Sequence, residues 1–138
     1  MLALPLLAIL FTGCPDDYFT DNYDTAVIID DQELDGDGDI VVAFVIPYGG
    51  DWLAIHRDDN GAPNRTSRPI GGIKIDYERH VDFKVRLDSA VAPGERLWGV
   101  LHMDNGRYDT FEYDGTDTTD NILDDYYYTE PWDDFIVR

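Results

Sequence analysis

The chain has 138 residues, enough for one domain and too few for a second core. Its 29 acidic residues against 10 basic ones leave a formal charge of −19, which excludes nucleic acid as a partner, because a polyanion is bound through a basic face that releases counterions. Hydrophobic residues at 43% and aromatics at 13% exclude a disordered chain, so the acidity decorates a real core and reads as a strongly solvated surface.

Residues 2–11 (LALPLLAILF) form an unbroken apolar run. It is shorter than the roughly 20 residues of a membrane-spanning helix and suits the apolar region of a signal peptide. Thr12-Gly13-Cys14 follows, small residues before the chain's one cysteine. The arrangement resembles the lipobox of bacterial and archaeal lipoproteins, which implies that Cys14 is lipidated and becomes the mature N-terminus. Phe11 departs from that pattern, where Leu is usual, and no Lys or Arg precedes the apolar run. A lone cysteine can form no disulfide within the chain and no cysteine-based zinc or copper site. The expectation is an exported protein of the cell envelope or surface, held to the membrane by lipid. Residues 15–24 (PDDYFTDNYD) are acidic and aperiodic and read as a linker, with a single domain over 25–138.

Within that domain, 26–29 and 40–46 read as two strands joined by the turn cluster Asp35-Gly36-Asp37-Gly38-Asp39. A third strand over 52–57 ends in the hairpin-like Asp58-Asp59-Asn60-Gly61, and a weaker one covers 70–75. The alternation of Val81, Phe83, Val85 and Leu87 with Asp82, Lys84 and Arg86 predicts a strand with all four apolar residues facing the core. Pro93-Gly94 turns the chain into 96–103, apolar on both faces and hence central in its sheet. Residues 108–113 read as a return strand, and 135–137 close the domain. Turns every 8–12 residues, with no helical period, predict an all-β, immunoglobulin-like antiparallel sandwich of about seven strands. Residues 114–132 are left as a long acidic segment.

Two stretches echo each other: Trp52-x-x-Ile55-His56-x-Asp58 and Trp98-x-x-Leu101-His102-x-Asp104. The spacing fits two central strands closed by the same Asx-Gly turn chemistry, or an old duplication. The order WLAIHRDDNG, Gly71-Gly72, HVDFKVRL, then Pro-Gly-Glu and LWGVLHMDNGRYDTFEYDG resembles a domain of unknown function found in secreted and surface proteins of halophilic archaea and some bacteria. The resemblance covers residues 25–138 and implies an extracytoplasmic β-sandwich, with no catalytic residues to carry over.

Candidate chemistry is sparse. Antiparallel pairing of the 52–57 and 96–103 strands is expected to send His56 and His102 to opposite ends, which argues against a joint metal site. Calcium is the better metal reading, since hard cations take oxygen ligands. The candidates are Asp35, Asp37 and Asp39 in one loop and Asp104, Asn105, Asp109 and Glu112 in another, although neither completes the EF-hand pattern. No other cofactor is expected. Ser67 and Ser89 lie in no nucleophile elbow and no phosphate-cradling loop is present, so no enzymatic activity is expected. Tyr126, Tyr127, Tyr128 and Trp132 offer an aromatic surface for a sugar, a partner protein or self-association, and Asn64-Arg65-Thr66 fits a glycosylation acceptor. The function expected is that of a non-enzymatic, lipid-anchored surface module with a structural, adhesive or binding role. The alternatives are a calcium-binding extracytoplasmic protein and a subunit of a surface fibre.

Overall fold

A computed structural model describes residues 27–47, 51–76, 80–104, 106–107, 109–112 and 131–138. They form seven strands: β1 (Val27–Ile28), β2 (Asp39–Val45), β3 (Trp52–Arg57), β4 (Gly71–Lys74), β5 (His80–Arg86), β6 (Arg96–His102) and β7 (Trp132–Ile136). All strand pairs are antiparallel, in one sheet ordered β1-β2-β5 and another ordered β4-β3-β6-β7. The fold is therefore the expected all-β, immunoglobulin-like sandwich. The fourth strand lies beside β3 rather than β5, which makes the sheets three- and four-stranded.

Local chemistry explains the strand ends. Asn60 and Gly61 both have positive φ (56° and 86°), the backbone of a type I′ hairpin turn, and the Asp59 N–H donates to the Ala62 carbonyl at 2.7 Å. Pro93-Gly94 forms a tight turn with Gly94 at φ 90° and the Glu95 N–H bonded to the Ala92 carbonyl at 3.1 Å. After β1 the chain crosses from the first sheet to the second. Gln32 bridges Val137 in parallel, its N–H donating to Ile136 and its carbonyl accepting from Arg138.

The two sheets meet over Val27, Ile40, Val42, Val45, Leu53, Ile55, Val85, Leu97, Leu101 and Phe135, all buried. Gly99 permits the close approach of β6 to the segment carrying Val27 and Ile29, because a Cβ there would stand 2.3 Å from Ile29 Cδ1. The core holds one departure from the sequence reading. Val85 and Leu87 face inward, but Val81 is 56% exposed and Phe83 only partly buried. Asp82 adopts φ 49°, a left-handed conformation that breaks the pleat, so residues on either side of it no longer alternate in register with one face. Across the kink Ile28, Phe44 and Val81 fall in one row of the first sheet, with Ile28 and Val81 exposed. Asp109–Glu112 contains a turn and no strand; the expected return strand over 108–113 is not formed there, and Tyr108 and Tyr113 lie outside the described residues.

Candidate functional site

In the second sheet the face turned away from the sandwich core is itself buried. Positions 52, 54 and 56 of β3 pair with 102, 100 and 98 of β6, so Trp52, Ala54, His56, Trp98, Val100 and His102 share that outer face. The register places a local two-fold axis between Ala54 and Val100, with each histidine two residues beyond it. The repeated W-x-x-Φ-H-x-D spacing thus becomes a symmetric arrangement: Trp52 lies opposite His102, and Trp98 opposite His56.

The expectation that His56 and His102 part company is overturned. The strands do run antiparallel, and the backbones of the two residues are separated along the sheet. Nevertheless the side chains reach toward each other across the Ala54–Val100 pair, and Nε2 of His56 stands 3.0 Å from Nε2 of His102. The rings are 5.2 Å apart at their centroids and inclined by 24°. Both residues are nearly inaccessible, at 1% and 2% exposure. Burial pushes the His56 pKa down, opposed by its bond to Asn64 and aided by Arg65, so the neutral imidazole is the favoured form.

Each end of the pair has a polar support. His56 Nδ1 lies 2.8 Å from the Asn64 carbonyl oxygen, and the Trp98 indole N–H donates to Asp58 Oδ1 at 2.8 Å. That bond, with the Gly61 N–H on the other Asp58 oxygen, holds the Asp58 carboxyl below the usual range. At the other end, burial raises the Asp104 pKa, but the Lys74 ammonium and the Asp109 N–H outweigh it and the net shift is downward. The Trp52 indole contributes to that lowering, although neither Trp52 Nε1 nor Asp104 Oδ1 closes a hydrogen bond with good geometry. Lys74 also lies 5.3 Å from the Trp52 ring centroid. Phe111 packs on both Trp52 (5.4 Å) and His102 (5.8 Å, edge-on). Beside it opens a cleft of about 150 Å³, lined by Trp52, Arg68, Pro69, Gly71, Gly72, Asp88 and Phe111.

The calcium candidates are engaged otherwise. Asp35, Asp37 and Asp39 each bring an oxygen within 4.8 Å of the others. However, Asp35 Oδ1 accepts the N–H groups of Asp37 and Asp39 (2.9 Å each), as an Asx turn does, and its Oδ2 accepts Lys84 at 2.6 Å. Those bonds, Lys84 foremost, lower the Asp35 pKa to about 2. Asp39 pairs with Arg86. In the second loop Asp104 is paired with Lys74, Asp109 Oδ1 lies 3.8 Å from the same ammonium, and Glu112 accepts the Arg107 N–H at 2.7 Å. Asn105 lies outside the described residues, as do Cys14, Tyr126, Tyr127 and Tyr128. Trp132 opens β7 and is half-buried, so it belongs to the sheet. Asn64 Oδ1 accepts from Thr66 N, Thr66 Oγ1 and Ser67 N, each at 3.0 Å, in a loop whose backbone also serves His56.

No curated protein and no solved structure matches this chain. A family model described as a domain of unknown function, DUF7282, matches residues 25–137. That span starts two residues before β1 and takes in all seven strands, including both halves of the histidine arrangement. The chain belongs to the DUF7282 family.

Proposed function

We propose that this protein is a non-enzymatic module of the cell envelope, exported, anchored by lipid at Cys14 and presenting one immunoglobulin-like sandwich for structural or adhesive contact. The observation that carries this reading is the order of segments: apolar run, Thr12-Gly13-Cys14, acidic linker, then a domain whose family match begins at residue 25. Ten linker residues reach roughly 35 Å at full extension, enough to stand the domain off a membrane surface.

The adhesive role is supported by the row Ile28–Phe44–Val81, whose Ile28 and Val81 are exposed on the first sheet. A protein, a carbohydrate or a second copy of the chain are the partner classes such a surface serves. Assembly by strand exchange is disfavoured at the far end of β5. There Leu87 already bridges Gly71 of the other sheet, and Lys84 and Arg86 carry charge along the edge.

Mass spectrometry of the protein taken from its native envelope tests the anchor. The expected N-terminal peptide begins at Cys14 and carries acyl chains, and Cys14→Ser releases the protein into the medium. A chain that retains residues 1–13 with an unmodified thiol overturns the reading.

A further inference from the structure

The sandwich core is built on the other face of β3 and β6, from Leu53, Ile55, Leu97 and Leu101, so the buried histidines are not core filler. Their chemistry is fixed by their partners. A carbonyl oxygen only accepts, so His56 Nδ1, 2.8 Å from the Asn64 oxygen, carries the ring proton. His56 Nε2 therefore presents a lone pair, and this lone pair faces His102 Nε2 at 3.0 Å. The centroid separation of 5.2 Å exceeds that gap by about the width of one ring, so the two nitrogens meet head-on along a common line. Without an ion, the His102 Nε2–H fills the gap and donates to His56.

We propose that this gap is the binding site of a single monovalent d10 cation, Cu(I), held linearly between His56 Nε2 and His102 Nε2. An ion placed between two opposed lone pairs has a linear geometry, which Cu(I) prefers and divalent zinc, seeking four converging ligands, does not. With imidazole–metal bonds of about 2.0 Å the donors must stand about 4 Å apart, so each ring withdraws by roughly half an ångström. Uptake balances through a change of tautomer: the His102 Nε2–H bond breaks while His102 Nδ1 takes up a proton, so the ring stays neutral and its Nε2 lone pair is freed. Two N–Cu bonds form, and no electron changes hands. The local two-fold axis suits an ion that is itself two-fold symmetric. The Asn64 carbonyl is the outer support that sets the ligating tautomer of His56. Phe111, which lines the neighbouring cleft, stands edge-on to His102.

The test uses the full chain with Cys14→Ser, so that no thiol competes, and silver(I) in chloride-free buffer as a redox-inert probe of the same charge and geometry. Nitrogen-15 spectra of the imidazoles and the thermal unfolding midpoint are followed together. One equivalent of silver is expected to move the Nε2 signals of His56 and His102 and to leave His80 in place, with a rise in midpoint, since an ion bound only by the folded state stabilises it. His56→Gln and His102→Gln abolish the rise, and Met103→Leu keeps it. The proposal is overturned if His80 responds as strongly, or if the signals of the pair do not move. It is also overturned if the rise survives in His102→Gln, if it is lost in Met103→Leu, or if zinc produces the same response. Should the glutamine variants fail to fold, the wild-type spectra decide alone.

Discussion

Val81 and Val85 stand four residues apart on the same strand, and strict alternation would bury both. The kink at Asp82 separates them, leaving Val81 56% exposed and Val85 at 1%. Truncating each to alanine reads the difference directly. At Val85 two buried carbons are lost, worth about 0.8 kcal/mol each by transfer, and the residual cavity brings the cost to about 2–3 kcal/mol. At Val81 the loss is about 0.5 kcal/mol or less, as for a surface position. In urea, with a slope of about 1.5–2 kcal/mol/M, Val85→Ala lowers the unfolding midpoint by roughly 1–2 M, while Val81→Ala moves it by about 0.3 M or less. Equal losses at the two positions would refute the kinked strand and restore simple alternation.

Other outcomes follow from the same packing. Gly99→Ala costs about 1–3 kcal/mol through its clash with Ile29 Cδ1. Combining it with Ile29→Val, which removes that methyl, gives a double variant more stable than the two separate losses imply, measured by a double-mutant cycle. The Asp35 carboxyl, drawn down to about 2 chiefly by Lys84 from an ordinary 3.8, favours folding while ionised. That contribution is complete above the unfolded value and disappears as the pH falls through the folded one. Carbon-13 titration of the carboxyls should find its midpoint near 2, and Lys84→Ala should return it toward 3.8. Millimolar calcium should leave the thermal midpoint unchanged, because Lys84 and Arg86 already neutralise the Asp35–Asp39 turn. A rise that Asp35→Asn abolishes would reinstate a calcium site. Scattering of the Cys14→Ser chain should show no fibres growing with concentration, in keeping with the charged and bridged edge of β5.

Much of the fold is legible in the residues. Gly, Pro and Asx clusters mark the strand ends because only they adopt the turn conformations: Asn60-Gly61 and Pro93-Gly94 behave as their types require. The 97–101 stretch, apolar on both faces, announces a strand buried on both faces, and β6 contains it. Placement of the fourth strand beside β3 is a matter of sheet assembly that local pattern does not encode. Val81 is misread because a single aspartate with positive φ changes the face, and aspartate in a strand carries no warning of it. The histidine pair is missed for a subtler reason. Antiparallel neighbours send their ends apart, but the same spacing repeated in two such neighbours generates a dyad, and long side chains at positions equidistant from it reach each other across it. The equal W-x-x-Φ-H-x-D spacing is the signal that could have revealed it.

That pair joins the repeated spacing, the register of β3 and β6 and the proposed ion, so its geometry is the claim on which most rests. Nuclear magnetic resonance of the metal-free, nitrogen-15-labelled protein can detect a scalar coupling between two nitrogens that share one hydrogen-bonded proton. The structure predicts such a coupling between His56 Nε2 and His102 Nε2, with the shared proton protected from exchange with water. Two uncoupled imidazoles whose protons exchange as fast as those of His80 would contradict it.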